Sequence, residues 1–596
     1  MKKFLLLFTF VFATLFSSAQ SEVMLQGFYW DSYGDTRWTK LTEQADELAR
    51  YFDLIWVPNS GYCEARNNMG YMPLYYFNQN SSFGSEAELR SMIATFKEKG
   101  LGTVADVVIN HHNTNGWYSF PAETYKGVTY QLQSTDICRN DDGGATLEQA
   151  KIDGVELSAN NDTGEGWDGC RDLDHKSANV QQVVKAYLDY LLNDLGYTGF
   201  RYDMVKGYSA SFTADYNTSS KPSFSVGECW DGSSVIKAWI DGTKVNGTPT
   251  SSAFDFQFRY RVRDAINQNN WSLLQGNASD AGGYPLAYQE AYRPYAVTFV
   301  ENHDTEYRSS TAQQDPIKAD TLAANAYLLA MPGTPCVFLK HWLNAKSDLK
   351  RMISARRLAG ITSTSTFEKL ASAQLYYVVK TTGATGSLIC VVGKTPAAYT
   401  APAGYTKVCS ASDYIYYLDD TTAAGWDAVE TQIAAEVQAE KEKEQQFTPH
   451  TATVYVKAEF TPVYFYIWDS NNNTQLNGNW PGKQPATKVI DGETWYYQTV
   501  DINAANYYFN IIFNQGSGKP QTSDITNLTS DKYYTATIAD GIVQYTDVTA
   551  TVDVKSHFTP HTSDHSSRIY NLMGIEVKQP LKGSLYIQNG KIILVR

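Results

Sequence analysis

Between residues 23 and 360, short apolar runs alternate with stretches of helical periodicity, and the alternation repeats eight times. The run at 23–30 is followed by Leu41, Ala45, Leu48, Ala49 and Phe52 at helical spacing, and the run at 54–57 closes at Pro58. Ser85 and Glu88 form a capping box for a helix to Lys99, stopped by Gly100, ahead of a strand at 103–109. Residues 179–195 are a strongly periodic helix ended by Gly196, and a short apolar run into Arg201 and Asp203 follows at once. Runs at 223–228, 253–256, 296–301 and 335–338 continue the series, and a helix at 347–358 closes it. Strands that alternate with helices through short loops pair in parallel. Eight such units specify a closed α/β barrel, a (β/α)8 TIM barrel, whose functional groups gather at the C-terminal ends of the strands.

Other parts of the chain follow different patterns. A Gly/Asn/Asp-rich excursion at 112–178 interrupts the third unit, and a loop of that length in a compact domain is functional or a subdomain. Beyond the barrel segment, 20–360, short alternating strands (375–380, 386–392, 405–410) indicate a small antiparallel β domain over 361–420. Residues 421–446 are rich in Ala, Glu and Lys without an apolar stripe of full width, and read as a solvated spacer helix. Residues 447–548 are all-β by pattern, and 549–596 are a last short β segment. Lys2 and Lys3, an apolar run over 4–16 and the small residues Ser17, Ser18 and Ala19 read as a secretory signal over 1–19. That run is too short for a comfortable membrane span, and no later one is long enough, so no transmembrane segment is expected. A net charge of −14 argues against nucleic acid as a partner, which requires a basic face. The seven cysteines are scattered, odd in number and without zinc-type spacing, and no disulfide is assigned.

The chemistry sits at strand ends. In the stretch 199–207, Arg201 and Asp203 are two apart on a strand and point the same way. A carboxylate beside an arginine stays ionised and can act as a nucleophile; the same pair is also a plain salt bridge at a strand end. The third strand ends with Asp106, Asn110 and His111, the fifth with Glu228, and the seventh with His303 and Asp304. In a barrel these ends meet at one mouth. Clustered carboxylates with one arginine suit glycoside chemistry, with one acid as nucleophile and another, of raised pKa, as proton donor.

These four segments, in order and spacing, resemble the four sequence regions of the α-amylase family of retaining glycoside hydrolases. The resemblance covers about residues 23–420, and the stretches 70–73, 201–209 and 332–338 are most similar to plant-type members. It implies that Asp203 is the nucleophile, Glu228 the acid/base, and Asp304 the third acid, which steadies the distorted sugar. Arg201 would keep Asp203 ionised. His111 and His303 would bond hydroxyls of the cleaved sugar, Tyr71 would stack beneath it, Lys206 would lie on the leaving-group side, and Asp106 would be scaffold or a minor contact. The excursion 112–178 would be the family's inserted B domain. Its junction with the barrel would hold Ca²⁺ through Asn110, Asp162, the backbone oxygen of Glu165, Asp172 and the backbone oxygen of Gly207, with Asp174 as a substitute for Asp172; hard oxygen donors suit that ion. Glu301 stands where plant-type members carry Asp, which leaves fine specificity open.

Residues 447–548 resemble small β-sandwich starch-binding modules, with Tyr466, Trp468 and Trp480 as the contact residues; aromatic rings in such a sandwich also fill cores. The last segment resembles sorting domains read by type IX secretion machinery, which implies a protein released or attached to the outer cell surface. Together these imply a secreted, monomeric, endo-acting α-amylase on starch and other α-1,4-glucans. The alternatives are an exo-acting or maltooligosaccharide-forming relative, or a starch-capture protein on a non-catalytic barrel.

Overall fold

The computed structural model describes residues 22–549 apart from 64–67, 168, 278, 280, 281, 310, 471–473, 506 and 540, plus the backbone of three later strands. Those strands, Ile569–Tyr570, Leu585–Gln588 and Lys591–Leu594, form a small sheet. The secretory-signal segment and the remainder of 550–596 lie outside the described residues. The chain divides into two compact units, Met1–Gln446 and Phe447–Arg596.

In the first unit, eight parallel strands close into a barrel. They are β1 (Met24–Gln26), β2 (Leu54–Val57), β3 (Gly102–Val107), β4 (Gly199–Tyr202), β5 (Phe224–Gly227), β6 (Ser252–Phe254), β7 (Ala296–Thr298) and β8 (Thr334–Phe338). Neighbours in sequence are neighbours in space, and β8 closes on β1. The strands are buried nearly throughout, which is why they read as continuous apolar runs rather than alternating ones. Several stop short of the apolar run that announced them: 23–30 is strand only to Gln26, and 296–301 only to Thr298. Their C-terminal residues turn out into the loops that carry the functional groups.

The helices read to 99, over 179–195 and over 347–358 lie within a residue or so of those bounds, whereas the helical spacing from Leu41 to Phe52 is two short helices, Trp38–Glu43 and Ala45–Tyr51. Ser85 accepts from the Glu88 N–H, and Glu88 returns a bond to the Ser85 backbone, opening Glu86–Glu98. Ala178–Asp189 continues as a π-helical turn to Leu195 and stops at Gly196, whose φ of 92° is left-handed. A five-stranded antiparallel sheet follows the barrel, and two of its strands, Thr366–Ser372 and Tyr414–Asp419, have no counterpart in the sequence reading. The first is largely exposed, and the second is apolar or aromatic at every position but its last, so neither alternates cleanly.

The spacer helix needs correcting. Trp426–Gln446 does not stand in solvent over its first half: Trp426 and Ile433 are buried, Glu430 pairs with Arg351, and Glu436 pairs with Arg50 and Lys350. Two apolar anchors and spaced ion pairs hold it to the barrel unit, and neither registers as a periodic apolar stripe.

The second unit places a five-stranded sheet and a three-stranded sheet around one core that includes Val454, Val456, Phe465, Ile467, Ile511 and Phe513. All seven cysteines are buried and free.

Candidate active site

Strand register assembles the acids. Asp106 on β3 and Arg201 on β4 are direct partners, and Tyr202 is level with Gly227 on β5. The next residues, Asp203 and Glu228, therefore leave adjacent strands at the same height. Gly227 lets the Trp239 ring pack directly against β5, since a Cβ there would fall 2.2 Å from that ring. Arg201, 1% exposed, is the hub. Its Nη1 donates to Asp106 Oδ1 at 2.8 Å and Asp203 Oδ1 at 2.7 Å, and its Nη2 lies 2.8 Å from Glu228 Oε2. The guanidinium also stacks 4.9 Å from the centroid of Trp56, which shields it from water.

Three buried carboxyls around one cation cannot all ionise with equal ease. Burial pushes Glu228 up to about 8 against the pull of Arg201, with Asp203 and Asp304 adding to the rise. Burial pushes Asp203 up to about 6, again opposed by Arg201. Asp106 is raised by burial and pulled back by Arg201. Near neutrality the site therefore holds an ionised Asp203 beside a protonated Glu228, the division of labour that two-carboxylate chemistry requires.

A second chain of contacts ties in the seventh strand end. The Gln26 amide lies 2.9 Å from His303 Nδ1, leaving the proton on Nε2, which meets Tyr71 Oη at 2.7 Å and Asp304 Oδ2 at 3.1 Å. Tyr71 in turn donates to Asp106 Oδ2 at 3.0 Å. Burial lowers His303 to about 4, so it is neutral and donates one N–H. Tyr71 and His303 are stacked at 5.4 Å, and Trp30 continues the stack parallel to Tyr71.

The other expected positions are placed less directly. His111 is buried with Nε2 2.8 Å from the Tyr71 carbonyl, so it braces the loop beneath the site. Lys206 bridges Glu165 at 2.7 Å and Asp231 at 2.9 Å, joining the inserted segment to the loop after Glu228. In the second unit, Tyr466 meets Trp468 at 5.3 Å and Trp480 at 5.1 Å; Trp468 is 7% exposed and Trp480 42%, so the open ring is that of Trp480.

Oxygen donors converge where the inserted segment meets β4. A Cβ on Gly207 would fall 1.8 Å from Asn110 Oδ1, and one on Gly166 would lie 2.6 Å from Asp172 Oδ2 and 3.9 Å from Asp162 Oδ2. Asp162 Oδ2 is buried without a hydrogen-bond partner. Asp174 is instead committed to Ser158 and Asn160. An orphaned carboxylate oxygen beside a second carboxylate and an amide oxygen fits a hard cation such as Ca²⁺. Among the described residues no cluster of three or more His, Cys, Asp or Glu forms a metal site, and this set, with two carboxylates, is not one.

Sequence reasoning missed Gln26, Trp30, Trp56 and Arg308. Arg308 donates to the His303 carbonyl, reaches Asp304 at 3.5 Å and covers Trp30 at 4.0 Å. Gln26 and Trp56 were visible as a polar and a bulky residue in otherwise aliphatic barrel strands; Arg308 gave no signal.

The family model described as alpha amylase, catalytic domain, matches residues 52–341. Over 381 residues the chain is 30% identical to probable alpha-amylase 2 of Arabidopsis thaliana, an alignment spanning 60% of this chain and 86% of that one. It is 30% identical over 355 residues to alpha-amylase 3, chloroplastic, of the same plant, spanning 56% of this chain and 37% of the other. It is also 28% identical over 379 residues to a glucan 1,4-alpha-maltotetraohydrolase of Stutzerimonas stutzeri, spanning 58% and 63%.

Proposed function

This chain belongs to the alpha-amylase family and is a glycoside hydrolase; from that premise we propose that it is a secreted α-amylase cutting internal α-1,4-glucosidic bonds of starch with retention. One observation carries the mechanism: a single buried guanidinium holds Asp203 and Glu228 on neighbouring nitrogens, with Asp203 near 6 and Glu228 near 8. Carboxylates bound that way are only a few ångströms apart, which supports the roughly 5 Å spacing of retaining enzymes over the wider gap of inverting ones.

In the first step, ionised Asp203 attacks the anomeric carbon while Glu228 gives its proton to the departing glycosidic oxygen. The C–O bond breaks and a glycosyl ester forms on Asp203. Glu228, now ionised, takes a proton from water, which displaces Asp203 and restores the original configuration. Asp304, fixed by His303 and Arg308, faces the positive charge that builds on the sugar ring. Calcium, when bound by Asn110, Asp162, Asp172 and the backbone oxygens of Glu165 and Gly207, supplies structural cross-linking between inserted segment and barrel.

The second unit is proposed as a starch-binding module with Trp480, Tyr466 and Trp468 at its contact surface, raising local enzyme concentration on an insoluble polymer. The final segment is proposed as the sorting signal for type IX export, and the protein as a monomer. No helix among the described residues is long and apolar enough to cross a membrane.

A maltooligosaccharide-forming action is the second reading, favoured by the similarity to a maltotetraohydrolase. Digestion of amylose separates the two: endo action drops viscosity well before reducing ends accumulate, whereas a single short product from the start contradicts it. Asp203→Asn and Glu228→Gln should each abolish hydrolysis and keep starch adsorption; turnover at the wild-type rate in either refutes the assignment, and a wild-type chain that releases no reducing sugar is a capture protein.

A further inference from the structure

β7 runs out through the buried apolar residues Phe299 and Val300 into a carboxylate, Glu301, that is itself buried. A charged group in such a place needs partners for its oxygens. Glu301 has one for each, from different parts of the chain. Its Oε1 accepts from the Ile317 N–H at 2.8 Å, sixteen positions further on. Its Oε2 lies 3.0 Å from His341 Nε2, in the helix Leu339–Asn344 that follows β8. One carboxylate thus joins both stems of the loop after β7 and ties them to the exit of the neighbouring strand.

The far end of this brace fixes where its proton sits. Asn325, buried in the helix Thr321–Ala330, donates from Nδ2 to the Thr321 carbonyl at 2.8 Å, and the same nitrogen lies 3.0 Å from His341 Nδ1. A carbonyl only accepts, so the amide has one orientation and its second N–H faces Nδ1. Nδ1 is then the acceptor, and the imidazole proton sits on Nε2 and is donated to Glu301. The Phe338 ring meets His341 edge-on at 5.5 Å and holds its plane. Asn325, His341 and Glu301 form a relay of hydrogen bonds with a single direction, ending on the carboxylate.

The turn beyond Glu301 is rigid in itself. The Asn302 N–H donates to Thr305 Oγ1, and Asn302 Oδ1 accepts from the Asp304 N–H, both at 3.0 Å, so residues 302–305 move as one piece. That piece carries His303 and Asp304, and the residue before it decides how it is aimed. We infer that Glu301 is a positioning residue for the hydrolysis proposed above: oriented by His341 and Asn325, it aims the 302–305 turn so that Asp304 faces the charge that builds on the sugar. The inference rests on the hydrolase reading and on the role given there to Asp304.

The test measures kcat and KM on 4-nitrophenyl α-maltotrioside for the full-length chain and for Glu301→Gln, His341→Leu and His341→Gln, each well below its melting temperature. Gln at 301 must turn an NH₂ toward one of two donors, and Leu at 341 removes one of those donors. In both variants kcat should fall about 10- to 100-fold, the scale of a misplaced group at the reacting centre. KM should change by less than about twofold, because Asp304 acts on the transition state more than on bound substrate. The double variant should cost no more than the worse single one, since both break the same relay. His341→Gln, whose amide can still donate to Glu301, should keep kcat within about threefold of wild type. A brace that only holds the fold lowers the melting temperature and leaves kcat in place; that result in Glu301→Gln and His341→Leu overturns the proposal. So does an equal fall of kcat in His341→Gln and His341→Leu, and this pair decides alone where Glu301→Gln does not fold. A wild-type chain that releases no 4-nitrophenol refutes the hydrolase reading, and Asp304→Asn at the wild-type kcat refutes the role of Asp304; either removes the step that Glu301 serves.

Discussion

Replacing Asp106 by Asn separates an electrostatic role for this residue from a purely scaffolding one. Arg201 Nη1 is shared between Asp106 and Asp203, at 2.8 and 2.7 Å. Two unit charges on one nitrogen are roughly 5 Å apart, and at an effective dielectric of about 20 they repel by about 3 kcal/mol. At about 1.4 kcal/mol per pH unit that corresponds to about two units. Asn at this position removes the repulsion and leaves Nη1 of the guanidinium to Asp203, whose carboxyl should drop from about 6 to about 4. The acidic limb of kcat/KM against pH on a short maltooligosaccharide, which reports the free enzyme, should move down accordingly. A cost accompanies the shift. All three partners of the Asp106 carboxylate are donors: Arg201, Tyr71 and Trp56 Nε1 at 3.1 Å. An Asn amide must turn its NH₂ toward one of them, destabilising the fold by about 1–3 kcal/mol, which a thermal melt should show as a lower Tm. An acidic limb that stays in place or moves upward in a folded variant refutes the reasoning.

Glu228 has a folded-state value near 8 against 4.5 for an ordinary glutamate, so the stability it permits is complete below about 4.5 and is lost as pH rises through about 8. Glu228→Gln should therefore raise Tm over the wild type more at pH 8.5 than at pH 5; a difference independent of pH contradicts this. Chelation with EGTA should lower Tm by several degrees, restored by added calcium, and superimposable melts speak against the oxygen cluster as a metal site. Trp480→Ala should reduce the rate on starch granules several-fold more than the rate on maltoheptaose, and equal losses on both would remove this ring from starch contact.

The barrel was legible because its strands are buried on both faces and so spell short continuous apolar runs; all eight lie where those runs are. The acids were legible for a related reason: strand ends in a barrel must converge, so Asp203 and Glu228, distant in sequence, could be placed together before any coordinate. What stayed hidden depends on three-dimensional partners. His111 could be placed at the mouth, but not that its Nε2 faces the Tyr71 carbonyl. Arg308 sits on a short exposed hairpin whose letters resemble any polar loop, and only the folded chain brings it over Trp30. The helix Trp426–Gln446 has the composition of a solvated linker, and its docking rests on Glu430 and Glu436 meeting basic residues some 80 or more positions earlier in the chain. Ion pairs at that separation leave no local signature.

Double displacement at Asp203 and Glu228 is tested most directly by proton NMR of the first sugars released from starch, recorded before mutarotation. The expected product is the α-anomer, decaying toward the equilibrium mixture. A product that first appears as the β-anomer would mean a single displacement by water, and the two carboxyls held by Arg201 could not then be nucleophile and acid/base.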